Sequence, residues 1–115
     1  MPLELDAERF DALVEDALDL IPDELAALVH NLVVLVEDRP PLEEPHDTLG
    51  LYDGGTLGLD AAGHLPDRVL VFREPLLAMC ATTEELVEEV RVTVVHEIAH
   101  HFGIDDARLH DLGWD

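Results

Sequence analysis

The residues best able to do chemistry lie near the C-terminal end of the sequence, in His96-Glu97-Ile98-Ala99-His100. On a helix, residues four apart lie about 40° apart around the axis, so both imidazoles can reach one point in space. Glu97 falls about 100° round from His96, too far to be an obvious third ligand but well placed beside an attacking water. Two imidazoles with an adjacent carboxylate are the parts of metal-assisted hydrolysis, and Zn²⁺ is the ion suited to such donors. A third donor follows. Gly103, seven residues after His96, frees the chain to reverse, and Asp106, ten after it, can bring an acidic oxygen back; Asp105 is the alternative one residue earlier. At this chain's His and Glu frequencies the five-residue pattern alone would arise by accident in about one such chain in twenty. The glycine and a ligand-type residue at the right spacing lower that to roughly one in a thousand. The competing reading is a hydrogen-bonded polar trio on a core helix.

The element that must position these side chains is a helix over residues 83–102. Thr82 and Thr83, followed by Glu84 and Glu85, supply a hydroxyl cap and first-turn acids, and Gly103 suits the position just past the end. Projected around the axis, Val87, Val94, Val95, Ile98 and Phe102 cover one broad side; Val92 and Ala99 flank it, and Leu86 and Val90 extend it. The last turns are apolar nearly all round, as in a buried helix, except for the sector of Thr93, His96, Glu97 and His100. Burying that sector without partners is costly, and a metal would satisfy it.

The rest of the chain alternates helices and strands. Residues 6–20 predict an amphipathic helix, with Phe10, Leu13, Val14, Ala17 and Leu18 at three- and four-residue spacing, Asp6 as its cap and Pro22 as its stop. A short second helix is expected from Pro22 to near residue 29. The β-branched run 31–37 reads as a buried strand, and 39–47, with three prolines, as a surface loop. Residues 49–59, with glycines at 50, 54, 55 and 58, read as a strand with a tight turn or a hairpin. Residues 68–73 form another strand, ended by Pro75, and 107–112 a short last helix.

Composition narrows the function. A chain of 115 residues, 48% apolar, suits a single domain over 1–115 with a core of Leu, Val, Ile and Ala. Its 27 acidic residues face 6 basic ones, a formal charge of −21, so a nucleic acid or an anionic membrane surface is repelled. The acidity reads first as solubility, with steering of cationic substrates as the functional alternative. The lone Cys80 offers no intrachain disulfide. No basic segment followed by an apolar run opens the sequence, and cytoplasmic residence is the default expectation.

The stretch HEIAHHFGIDD resembles the H-E-x-x-H-x-x-G-x-x-D variant of the zincin active site. The chain as a whole is similar to small bacterial zincin-like metallopeptidases, through VVLVEDRPP, LGLYDGG, LPDRVLVFREP and the terminal helices. The resemblance implies an α+β, minimal zincin-like fold: a small mixed or antiparallel sheet packed on helices, with the metal site beside an edge strand. It also implies a zinc metallopeptidase acting on a peptide or protein. His96 and His100 match its histidine ligands, Glu97 its catalytic glutamate, and Asp106 the acidic ligand that replaces a third His. With nine residues after Asp106, the Met-containing turn of larger zincins is not expected here, and Met79 does not match that role.

The remaining residues of interest carry weaker signals. Tyr52, the only tyrosine, is a candidate oxyanion or substrate contact, or else packs on the sheet. His101 points about 140° from His96 and reads as a packing or rim histidine. His30, His46, His64 and His110 read as surface or loop residues, and Met79 and Cys80 as core. If 68–73 is an edge strand, an extended substrate can pair with it. Two other classes remain: a non-catalytic, zinc-stabilised binding module, and a metal-dependent ribonuclease. The acidic surface and the glutamate after the first His weigh against the latter.

Overall fold

Helix, strand and turn signals resolve into five helices and three strands in the computed structural model, which describes residues 3–28, 32–53 and 67–115. The turn expected after residue 53, with Gly54, Gly55 and Gly58, lies outside the described residues, as do His30 and His64. Helix α1 (Ala7–Leu18) starts where Asp6 accepts a hydrogen bond from the Arg9 amide at 2.8 Å, and buries Phe10, Leu13, Val14 and Ala17. Helix α2 (Asp23–Ala26) is a single turn behind Pro22, shorter than the expected segment. Strand β1 spans Leu32–Glu37, β2 Gly50–Asp53 and β3 Asp67–Phe72.

The sheet is mixed, in the order β1-β3-β2. Strand β1 pairs parallel to β3, from Leu32 opposite Asp67 to Glu37 opposite Phe72. Strand β2 runs antiparallel along the other side of β3, from Gly50 opposite Val71 to Asp53 opposite Arg68. The apolar run in β3 therefore belongs to the central strand of the described sheet, and the reading of 68–73 as an edge is corrected. Val69, Val71 and Phe72 are buried there, as a strand flanked on both sides requires. Among the described residues the edges are β1 and β2.

Pro75 does not end the chain's regular structure. It lies in the first turn of a helix the sequence reading missed, α3 (Arg73–Met79), where the first amides have no partner within the helix and a missing N–H costs nothing. The Glu74 amide instead donates to the Asp38 carbonyl at 3.0 Å, tying the start of α3 to the chain leaving β1.

Helix α4 (Thr83–His101) is the centre of the molecule. The Thr82 hydroxyl caps it by accepting from the Glu85 amide at 3.1 Å, and the Glu85 carboxylate accepts from the Ala81 amide at 2.9 Å. One side of α4 packs on α1, another on β2 and β3, and α2 and α3 close its flanks. Leu86, Val90, Val94, Val95, Ile98 and Ala99 join Phe10, Leu25, Leu76 and Leu109 in one continuous core. Cys80 belongs to it, but Met79 is 52% exposed and is not the core residue expected. No helix among the described residues is long and apolar enough to cross a membrane.

Candidate active site

The site grows out of the way α4 ends. Gly103 takes a positive φ of 77°, the Gly103 amide donates to the His100 carbonyl at 3.1 Å, and the Ile104 amide reaches back to Ala99 at 2.8 Å. These paired bonds form a Schellman turn, which satisfies the last carbonyls and reverses the chain. Ile104 packs on the core and anchors the reversal. The next helix, α5 (Asp106–Leu112), begins at once, and the two adjacent aspartates are divided by geometry. Asp105 is its N-cap, accepting from the Arg108 amide at 2.9 Å. Asp106 faces back to α4, its Oδ1 standing 3.0 Å from His100 Nε2.

His96 lies one turn earlier, its ring centre 5.6 Å from that of His100 and tilted by 31°. Two donors on one tetrahedral zinc stand about 3.3 Å apart, and two imidazoles on it have ring centres about 5 Å apart. The nitrogen–carboxylate donor set is of the kind that such an ion takes. The His100 contact holds the Asp106 carboxyl below the ordinary carboxylate range, in the ionised state a ligand needs. Both side chains remain open to solvent. As the side chains stand, no group of three or more His, Cys, Asp or Glu among the described residues is drawn together tightly enough to hold a metal ion. His100 and Asp106 are brought into contact, with His96 beside them, but the three do not close on one point.

Glu97 faces the sheet. Its Oε1 accepts a hydrogen bond from the Tyr52 amide of β2 at 3.0 Å, and it is partly buried. Burial pushes its carboxyl above the ordinary value, while the Tyr52 amide and the two histidines pull the other way. The close approach of β2 to α4 depends on Gly50. A Cβ there would meet Thr93 Cγ2 at 2.6 Å and the Leu70 carbonyl at 2.9 Å. In the sequence Gly50 stands only as one of several turn-forming glycines; a lone Gly inside a strand pattern is the signal for such an approach.

Tyr52 is held from three directions. Its amide serves Glu97, its hydroxyl donates to Asp67 at 2.5 Å, and its ring stacks on His101 with centres 3.9 Å apart and planes 10° from parallel. Burial and the Asp67 bond push the phenol's pKa far up, so the hydroxyl remains protonated and engaged with Asp67. His101, read from the sequence as a packing or rim histidine, is exposed and makes that stack with Tyr52. His46 and His110 are exposed, and His110 pairs with Asp115 at 3.0 Å. Neither Asp67 nor the Tyr52 amide carried a sequence signal, because both act through strand register.

Comparison with known proteins bears on the fold and the family. The chain resembles a conserved hypothetical protein from Thermo thermophilus in fold: the TM-score is 0.59 at 24% identity, over 85% of this chain and 94% of that one. No curated protein matches it. The family model described as zincin-like metallopeptidase matches residues 29–114, which include the whole of β1, β2, β3, α3, α4 and α5. The chain therefore belongs to the zincin-like metallopeptidase family.

Proposed function

We propose that the protein is a zinc-dependent hydrolase of peptide or amide bonds, with His96, His100 and Asp106 as metal ligands and Glu97 as general base. The observation that carries this reading is the contact between His100 and Asp106 across the Schellman turn. That turn returns an ionised oxygen to a histidine six residues earlier, and the engagement of Asp105 as a helix cap favours Asp106 over it. Zinc bound there would supply Lewis acidity and lower the pKa of a coordinated water to about 7.

The chain's own residues do the rest. Glu97 sits where burial raises its proton affinity, which suits a group that accepts a proton from the attacking water and returns it to the leaving amine. The Tyr52 amide orients the Glu97 carboxylate, and the Tyr52 side chain is braced by Asp67 and His101. The Tyr52 hydroxyl thus serves the site through its anchorage, whereas an oxyanion role would require it to leave Asp67. An extended substrate would run along β2, the described edge beside α4, in place of β3.

Zinc binding and peptide cleavage by a set of variants test this reading. Glu97→Gln should retain zinc and lose about 10²–10⁴-fold in turnover; equal turnover excludes Glu97 as base. Asp106→Ala should weaken zinc binding more than Asp105→Ala, and the reverse order moves the ligand role to Asp105. A zinc-replete protein that cleaves no member of a broad peptide library would instead be a zinc-stabilised binding module.

A further inference from the structure

Beside the site lies a cleft of about 770 Å³ between the loop leaving β1 and helix α3. Its apolar lining includes Leu42, Leu49, Pro75, Ala78 and Met79. Leu42 is fully exposed and Met79 half so, an unfavourable state for side chains of this kind lining one concave surface. The loop wall is preformed. Pro40, Pro41 and Pro45 restrict its backbone, the Glu44 amide closes a turn onto Pro41 at 2.9 Å, and the Thr48 amide closes another onto Pro45 at 3.1 Å. Both ends are tied down, by the Glu74 amide on Asp38 and by the Phe72 amide on the Leu49 carbonyl, each at 3.0 Å.

One stretch of chain links the cleft to the candidate site. Leu49 lines the cleft, and the next residue, Gly50, is packed against Thr93 and near Glu97, where an added Cβ would lie 3.9 Å from Glu97 Cγ. Charge at the mouth is uneven: Glu44, Asp47 and Glu74 face a single arginine, Arg39, which is bound to Glu74 at 3.0 Å.

We propose that this cleft is the specificity subsite of the enzyme, taking a large apolar side chain of a peptide substrate whose neighbouring residue is basic. The inference rests on the peptidase reading. Apolar walls select the buried side chain, Glu44 and Asp47 select the adjacent cation, and the proline-stiffened wall lowers the cost of ordering on binding. Leu49 and Gly50 then lead the peptide from the cleft to β2 and Glu97.

The test uses zinc-loaded protein and fluorescein-labelled dodecapeptides that carry Leu or Ala at one position and Arg or Gln at the next. Cleavage is read in the otherwise unaltered enzyme and binding, by anisotropy, in the Glu97→Gln background. Ala78→Trp, which fills the cleft from an exposed position, should weaken binding of the Leu peptide about tenfold and leave the Ala peptide unchanged. Leu42→Ser, at a fully exposed residue, should act in the same direction more weakly, and Glu44→Gln should reduce the preference for Arg. An unchanged Leu-to-Ala ratio in both cleft variants overturns the subsite, even if cleavage proceeds. Selective binding that Ala78→Trp removes, with no peptide cleaved, upholds the cleft as a peptide site and overturns the peptidase reading instead.

Discussion

The two sides of α4 solve different problems. Toward α1 the contact is made of Phe10, Leu13, Val14 and Ala17 against the apolar residues of the long helix, with almost no exposed surface between them. Toward β2 the same helix presents Thr93, Glu97 and His101, and meets a glycine, a backbone amide and an aromatic ring. The first side is non-directional: apolar side chains of suitable volume satisfy it, and its strength scales with the area removed from water. The second is directional and tight, so that a shift of an ångström separates Glu97 from Tyr52. The α1 side thus suits stabilisation by burial and the β2 side the fixed geometry that the proposed chemistry needs, and one helix carries both.

If that division holds, damage to the α1 side should unfold the protein, and damage to the β2 side should misplace Glu97 before it unfolds anything. The largest stability effect is expected at Phe10, which is fully buried. Phe10→Ala should cost about 3–5 kcal/mol in denaturant unfolding, while the fraction still folded binds zinc normally. Loss of zinc affinity in the folded fraction would break the comparison. Gly50→Ala should cost less, about 1–3 kcal/mol, because the new Cβ collides with Thr93 and with the Leu70 backbone and must push β2 from α4. Its signature should be a fall in turnover out of proportion to the stability lost, since the Tyr52 amide moves with β2.

The smallest effect concerns Glu97 itself. Burial raises its pKa in the folded state, so its contribution to stability is fully present below the ordinary value of 4.5 and is lost as pH rises through the raised value. In metal-free protein at pH 7, Glu97→Gln should therefore raise the melting temperature by a few degrees, and the advantage should vanish below about pH 4.5. An advantage that does not change with pH would show that burial of charge is not the cause. Together with the catalytic loss expected for the same substitution, it would mark Glu97 as a residue that gives up stability for function.

Strand register explains why some of the architecture escaped the sequence reading. The long helix and its caps were legible because period, hydroxyl, acids and terminal glycine all agree locally. Helix α3 was not, because a proline after a strand reads as a stop and is tolerated only where the first-turn amides have no intrahelical partner. The central position of β3 was also missed, since a short apolar run looks alike at an edge and in the middle until its partners are known.

By itself the sequence determined which residues can meet within a helix and across one turn. His96 and His100 share a side because four residues make just over one turn, and Gly103 allows the reversal because it lacks a Cβ. Tertiary structure alone decided that Asp105 caps while Asp106 faces His100, that β2 lies beside α4, and that the Tyr52 amide holds Glu97. The last two depend on strand order and on contacts between residues as far as 45 positions apart, and the first on how α5 turns back on α4, none of which local periodicity encodes.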